Sequence, residues 1–199
     1  MKMRKKALSL LLALMVLGSC FAFAGSAEEA ADGESGKILV AYFSATGHTE
    51  PIAETIAEAL GADLYEIVPA EEYTEEDLNY NDSTTRATVE QRTADCRPEL
   101  AESELDLSEY DTVLIGHPIW WGQVPKLIYT FVETYDLAGK TVTTFCTSAS
   151  SGLGTSAENL QKAASGDAVW LESRRFPIGA EEEEILAWLD EIGLTGEGQ

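Results

Sequence analysis

An α/β fold, a doubly wound parallel sheet with helices on both faces, is what this sequence predicts, on two observations. Apolar runs of strand length recur at "KILVAYF", "YDTVLIG" and "KTVTTFCT". A strand that reads as a continuous apolar run is buried on both faces, as in a parallel sheet. Between these runs lie segments of helical period, and alternation of the two over this length is the mark of βαβ units.

Each element follows from its residues. "KILVAYF" is the first strand. From Thr49 to Leu60 the period changes: Ile52, Ala53, Ile56, Ala57 and Leu60 form one helical face, and Glu50, Glu54 and Glu58 the other. Pro51 is tolerated in the first turn, and Gly61 suits the C-cap. "DLYEIV" is a second strand. Residues 70–108 are long and polar, and two short helices with an ordered loop are expected there. "YDTVLIG" is the third strand, followed by the helix "VPKLIYTFVETY" with its proline in the first turn. "KTVTTFCT" is the fourth strand and "GTSAENLQKAAS" a helix. "AVWLES" is the fifth strand, with "RRFPIG" continuing or ending it. "AEEEEILAWLDEIG" closes the chain as a helix whose acidic residues sit at its N-terminus, where the dipole favours them. Right-handed crossovers bring the loops after strands one, three and four to one carboxyl edge.

The N-terminal segment reads as an address. "MKMRKK" is basic, "ALSLLLALMVLG" is an apolar stretch of about a dozen residues, and small residues follow, the pattern of an export signal over residues 1–24. Two cuts are open: "LGSC" resembles a lipoprotein box that would lipidate Cys20, and "AFA" (Ala22 to Ala24) resembles an ordinary signal-peptidase site. The phenylalanines after Cys20 favour simple secretion. Either cut places the protein outside the cytoplasm, extracellular or at the cell envelope. Residues 25–36 read as an acidic linker and 37–196 as one domain. The formal net charge is −22, and loss of the four basic and no acidic residues of the leader makes it −26. Such a charge disfavours nucleic acid and anionic membranes and favours basic partners. The membrane would be reached only through a lipid at Cys20. Cys96 and Cys146 are available for one disulfide in an oxidising compartment, but two cysteines make no framework.

Three loops carry the chemistry. "SATGHT" (Ser44 to Thr49) lies between a strand and a helix N-terminus, where free amides and the dipole attract phosphate. Ser44, Thr46 and Thr49 add hydroxyls, and Gly47 permits a tight turn. An ordinary βα loop with a threonine N-cap is the plainer alternative. A Walker loop is excluded because His48 stands where lysine is required, and "GKT" at Gly139 to Thr141 precedes a strand; no G-x-G-x-x-G fingerprint occurs here either. In "IGHPIWWGQVP" two adjacent tryptophans at a strand end are hard to bury together, so at least one should be partly open. An indole offers an apolar face to a planar ligand. In "TSASSGLGTS" small residues let backbone approach a flat ligand. No G-x-S-x-G elbow is present, which excludes a serine hydrolase. His48 and His117 are the two histidines. No third ligand at metal spacing accompanies them, so no metal is expected, and no catalytic residue is indicated.

"SATGHT" resembles the S/T-x-T-G-x-T phosphate loop of flavodoxins, which hold the FMN phosphate without a positive side chain. The resemblance runs from Lys37 to Leu194, about 155 residues, and is carried by "YFSxTGxT", "GxPIWWG" and "FxTSxxSGxG" in order. It implies a flavodoxin-like five-stranded sheet of order 2-1-3-4-5 and an FMN cofactor. It places the phosphate on Ser44, Ala45, Thr46, Gly47, His48 and Thr49. The isoalloxazine falls to Pro118, Ile119, Trp120, Trp121 and Gly122 on one side, and to Thr147, Ser148, Gly152 and Gly154 on the other. Tyr80 is a further candidate at the ring edge. The function implied is electron transfer by a monomer to a redox partner with a basic docking surface. An NAD(P)H-dependent quinone or FMN reductase, and a flavin-free binding module, are the alternatives. Reduction adds negative charge to the ring, and each carboxylate about 10 Å away opposes it by roughly 0.4 kcal/mol in high dielectric. A low-potential donor is therefore expected.

Overall fold

The structure, a computed structural model, describes residues 36–195. The export segment, with both of its cleavage readings, and the linker up to residue 35 lie outside these. The strands are β1 (Ile38–Tyr42), β2 (Asp63–Glu66), β3 (Thr112–Pro118), β4 (Thr141–Thr147), β5 (Val169–Trp170) and β6 (Arg174–Phe176). The helices are α1 (Glu50–Leu60), α2 (Arg86–Arg92), α3 (Lys126–Thr134), α4 (Ser156–Ala163) and α5 (Glu182–Glu191). All pairings between these strands are parallel, in the order β2-β1-β3-β4-β5.

Alternation along the strands sorts side chains onto two faces. Leu39, Ala41, Val113, Ile115 and Val142 face Leu127, Ile128, Phe131 and Val132 of α3 and Leu160 of α4. Val40, Tyr42, Leu114 and Phe145 face Ile52, Ala53 and Ile56 of α1 and Ile185, Trp188 and Leu189 of α5. Gly116 of β3 lies against the Phe145 ring so closely that a Cβ there would overlap it. A fully buried leucine or phenylalanine contributes about 1.5–3 kcal/mol, so these two cores hold the strand ends in place. Helix α1 ends as its glycine implies: Gly61 adopts φ +59°, and the Gly61 and Ala62 amides donate to Glu58 O and Ala57 O.

The structure departs from the sequence reading in three places. The fifth sheet position is filled by two short strands, not one. Val142 pairs with Trp170 and Phe145 with Arg174, so four steps on the edge match three on β4. That extra residue is a bulge, and β4 satisfies it: Thr143 Oγ1 donates to Glu172 O at 3.0 Å and Thr144 Oγ1 to Ser173 Oγ at 2.8 Å. Residues 70–108 contain one seven-residue helix, α2, and a 3-10 turn at Leu107–Glu109. Pro125 is the N-cap of α3 and not inside its first turn. Among the described residues no helix is long and apolar enough to cross a membrane.

Candidate functional site

Residues 44–49 join β1 to α1 at the carboxyl edge. Ser44 Oγ accepts the amides of Thr49 at 3.1 Å and Glu50 at 3.2 Å, capping α1 from five residues upstream. An oxygen that already accepts twice keeps its own hydrogen to donate outward. Gly47 takes φ +73°, the left-handed region. Thr49 stands at the N-cap, but its hydroxyl does not cap; it lies 2.8 Å from Thr147 Oγ1 and ties the first loop to the third. Thr46, Gly47 and His48 are exposed. Among the described residues, the amides of Ala45, Thr46 and His48 donate to no protein acceptor. Free amides, outward hydroxyls and a helix N-terminus complement an anion, with no lysine or arginine in the loop.

The tryptophan loop is a tight turn. Trp120 and Gln123 exchange both backbone hydrogen bonds, at 2.9 and 3.0 Å. The two residues between them, Trp121 and Gly122, both have positive φ, at 47° and 74°, the signature of a type I′ turn. This geometry separates the two indoles. Trp120 is 4% exposed, edge-on to Phe43 at 5.5 Å and to Tyr73 at 5.0 Å. Trp121 is carried to the tip, where it stacks on Tyr80 with centroids 4.3 Å apart and 31° between planes. The open indole is therefore Trp121. Gln91 of α2 clamps the loop: its Nε2 donates to Trp120 O and Val124 O, each at 3.1 Å, and its Oε1 accepts the Lys126 amide at 3.0 Å.

The third loop turns at Ser148, whose Oγ accepts the amides of Ser150 and Ser151 at 3.3 and 2.9 Å. Gly154, at φ +57°, brings this loop against the carbonyl of Gly122. Gly152 has open space around it and an ordinary φ, so neither sterics nor conformation requires glycine there. Together the loops wall a cleft of about 550 Å³. Thr46, His48, Pro118, Ile119, Trp120, Trp121, Gly122, Thr147 and Ser148 line it. Ser44 and Ala45 line a smaller neighbouring hollow with Phe43 and Tyr73. Gly47, Thr49, Gly152 and Gly154 line neither. Leu78 and Ile178 also line the cleft, beside Tyr80. Sequence reasoning missed both, since each arrives from a segment without periodicity.

His117 is fully buried on β3, with Nδ1 2.9 Å from Pro118 O and Nε2 without a partner. Desolvation pushes it down to about 4, so it is neutral at pH 7. Cys146, its neighbour across β3–β4, is a buried thiol pushed up to about 12 by burial. Cys96 and Cys146 are both free, so the disulfide open on sequence grounds is not formed. Among the described residues no three His, Cys, Asp or Glu side chains gather as metal ligands.

No curated protein matches the chain. Two solved structures are similar at high identity. A candidate flavoprotein from Bacteroides eggerthii is 46% identical, with TM-score 0.73 over 78% of this chain and 97% of that one. A second from Bacteroides uniformis is 42% identical, with TM-score 0.71 over 78% and 98%. A flavoprotein from Lactobacillus acidophilus, solved in complex with FMN, is 23% identical with TM-score 0.55 over 77% and 98%, a likeness of fold. Residues 37–192 match the family described as Flavodoxin. With the 2-1-3-4-5 sheet and the three loops at its carboxyl edge, this chain belongs to the flavodoxin family.

Proposed function

We propose that the cleft binds FMN and that the protein is an exported one-electron carrier. The observation that carries this reading is the pairing, across one cleft, of an anion loop without a cation and an aromatic wall of Trp121 and Tyr80. The cleft lies outside the strand ends where β1 and β3 diverge in sequence order, the switch point at which flavodoxins serve as a stock example of FMN binding. The residues fit the group. The free amides of Ala45, Thr46 and His48, with the hydroxyls of Ser44 and Thr46, suit a phosphate monoester, while Gly47 and Thr49 fix the loop. Pro118, Ile119, Trp121 and Gly122 line the cleft with Thr147 and Ser148, and the Ile119 amide ties the second loop to Thr147 O at 3.0 Å. Trp120 supports this wall from the core, and Gly154 keeps the third loop close to Gly122.

FMN supplies the redox chemistry when bound, and the protein supplies position and electrostatics. Electron transfer needs no general acid or base. Lys126, which follows the tryptophan loop, turns away: its Nζ donates to Ala94 O at 3.0 Å, and among the described residues no lysine or arginine lines the cleft. A nicotinamide dinucleotide would find no basic group there for its phosphates, which favours the carrier over a reductase. The acidic surface suits a basic redox partner met outside the cytoplasm.

The test is anaerobic photoreduction of the FMN-loaded protein beside an NADH–quinone assay. The carrier is reduced and reoxidised reversibly, shows no NADH oxidation above background, and passes electrons to a basic protein more slowly as salt rises. Sustained NADH turnover would make the protein a reductase instead.

A further inference from the structure

The three cleft loops contain no lysine or arginine, yet the fold brings an arginine to the back of the third. Arg175 stands in β6, paired with Cys146 of β4. Its Nη2 donates to the carbonyl of Ser148, a residue of the cleft wall. Among the described residues no carboxylate lies within ion-pair reach of this guanidinium. Its neighbour Arg174, by contrast, pairs with Glu191 at 2.9 Å. Arg175 Nε is buried without a partner. The chain has 35 acidic residues to 13 basic ones. A half-buried arginine left unpaired in such a chain carries a desolvation cost that a surface position would avoid.

We propose that Arg175 is the positioning residue of the third loop and the cation that favours the reduced flavin. Its grip on the Ser148 carbonyl fixes the peptide from which the turn of residues 148–151 departs. The same contact holds an uncompensated positive charge directly behind the cleft wall. Reduction adds negative charge to the flavin ring, and a fixed cation there opposes the pull of the acidic surface. The proposal rests on the FMN reading for its electrostatic half; its positioning half concerns the protein alone. At an effective dielectric of about 20 and a separation of about 10 Å, one charge alters the relative affinity for reduced and oxidised FMN roughly tenfold.

The experiment compares the full chain with Arg175→Met, Arg175→Lys and, as a control of equal charge change, Arg174→Met. Without flavin, hydrogen exchange at the Ser150 and Ser151 amides is expected to quicken about tenfold in Arg175→Met and to stay unchanged in Arg174→Met. With FMN, Arg175→Met is expected to bind the reduced form about tenfold more weakly relative to the oxidised form, a fall of about 30 mV in the two-electron potential. Arg175→Lys, which keeps the charge, should recover most of the potential and little of the exchange protection. Unchanged exchange in Arg175→Met overturns the positioning role. An unchanged potential, or a fall equal to that of Arg174→Met, overturns the electrostatic one. If the wild-type chain fails to bind FMN, the functional reading and the electrostatic role fall together, and exchange still decides the positioning role. Should Arg175→Met fail to fold, Arg175→Gln, which also removes the charge, is read by the same two criteria.

Discussion

Adjacent tryptophans illustrate how much a residue's place outweighs its identity. Trp120 is buried between Phe43 and Tyr73, and Trp120→Ala should cost about 3–5 kcal/mol, as truncating a core aromatic does. Trp121 pays for its half-buried place at the turn tip with a left-handed backbone, a strain of roughly 1–2 kcal/mol for a non-glycine residue. Trp121→Gly relieves that strain while losing the stack on Tyr80, so stability should change by under about 1 kcal/mol. FMN affinity should nevertheless fall 5- to 150-fold, the loss of roughly 1–3 kcal/mol of stacking. Urea midpoints beside FMN titrations of both variants check this; equal stability losses would contradict it. His117 yields a pH effect. Its folded pKa of about 4 lies below its ordinary value of 6.5. Between those values the unfolded chain takes up a proton that the folded chain refuses. Stability is thus full above pH 6.5 and is lost towards pH 4, by up to about 1.4 kcal/mol per pH unit. His117→Asn should flatten that slope in denaturant midpoints measured from pH 4.5 to 7; an identical slope would show that His117 does not titrate this way.

At the scale of elements, α2 matters to the site more than its seven residues suggest. Gln91 makes three hydrogen bonds to the tryptophan loop and the start of α3. Gln91→Ala should cost about 1–3 kcal/mol for groups left unpaired and weaken FMN binding without any direct contact to the ligand. Paired denaturation and titration curves decide; loss of stability with unchanged affinity would remove α2 from the account of the site. A short helix in this segment is expected from the sequence, but its position was not legible. Its segment is polar, and its order comes from partners outside the helix: Arg86 lies over the Tyr73 ring at 4.2 Å, and Gln91 reaches Trp120 O and Val124 O. By contrast β1, β3, β4 and α1 were legible, because burial on both faces or on one helical stripe leaves a period in the residues. The break between β5 and β6 was not, since a bulge is defined by register against β4, and register is absent from a single segment. Thr46, Trp121 and Ser148 could be proposed from local motifs. Arg175 could not, because its meeting with Ser148 depends on how β6 aligns beside β4.

For the whole molecule, two opposing fields act on the cleft. The acidic surface, at −22 for the full chain, repels an anionic ligand and disfavours added charge on it, though salt screens distant charges over about 10 Å at 0.1 M. Within the cleft, amides, hydroxyls and the α1 N-terminus attract an anion at contact distance, where screening is weak. The sheet order makes this possible by gathering the loops after β1, β3 and β4 at one edge. A phosphate held in this way should be recognised through hydrogen bonds and not through mobile surface cations. The direct measurement is a tryptophan-fluorescence titration of the purified protein with FMN and with riboflavin, at low salt and at 0.5 M salt. FMN is expected to quench Trp121 at one equivalent and to bind at least a hundredfold more tightly than riboflavin, a preference that salt preserves or increases. Equal affinity for the two, or no quenching by either, would contradict the account.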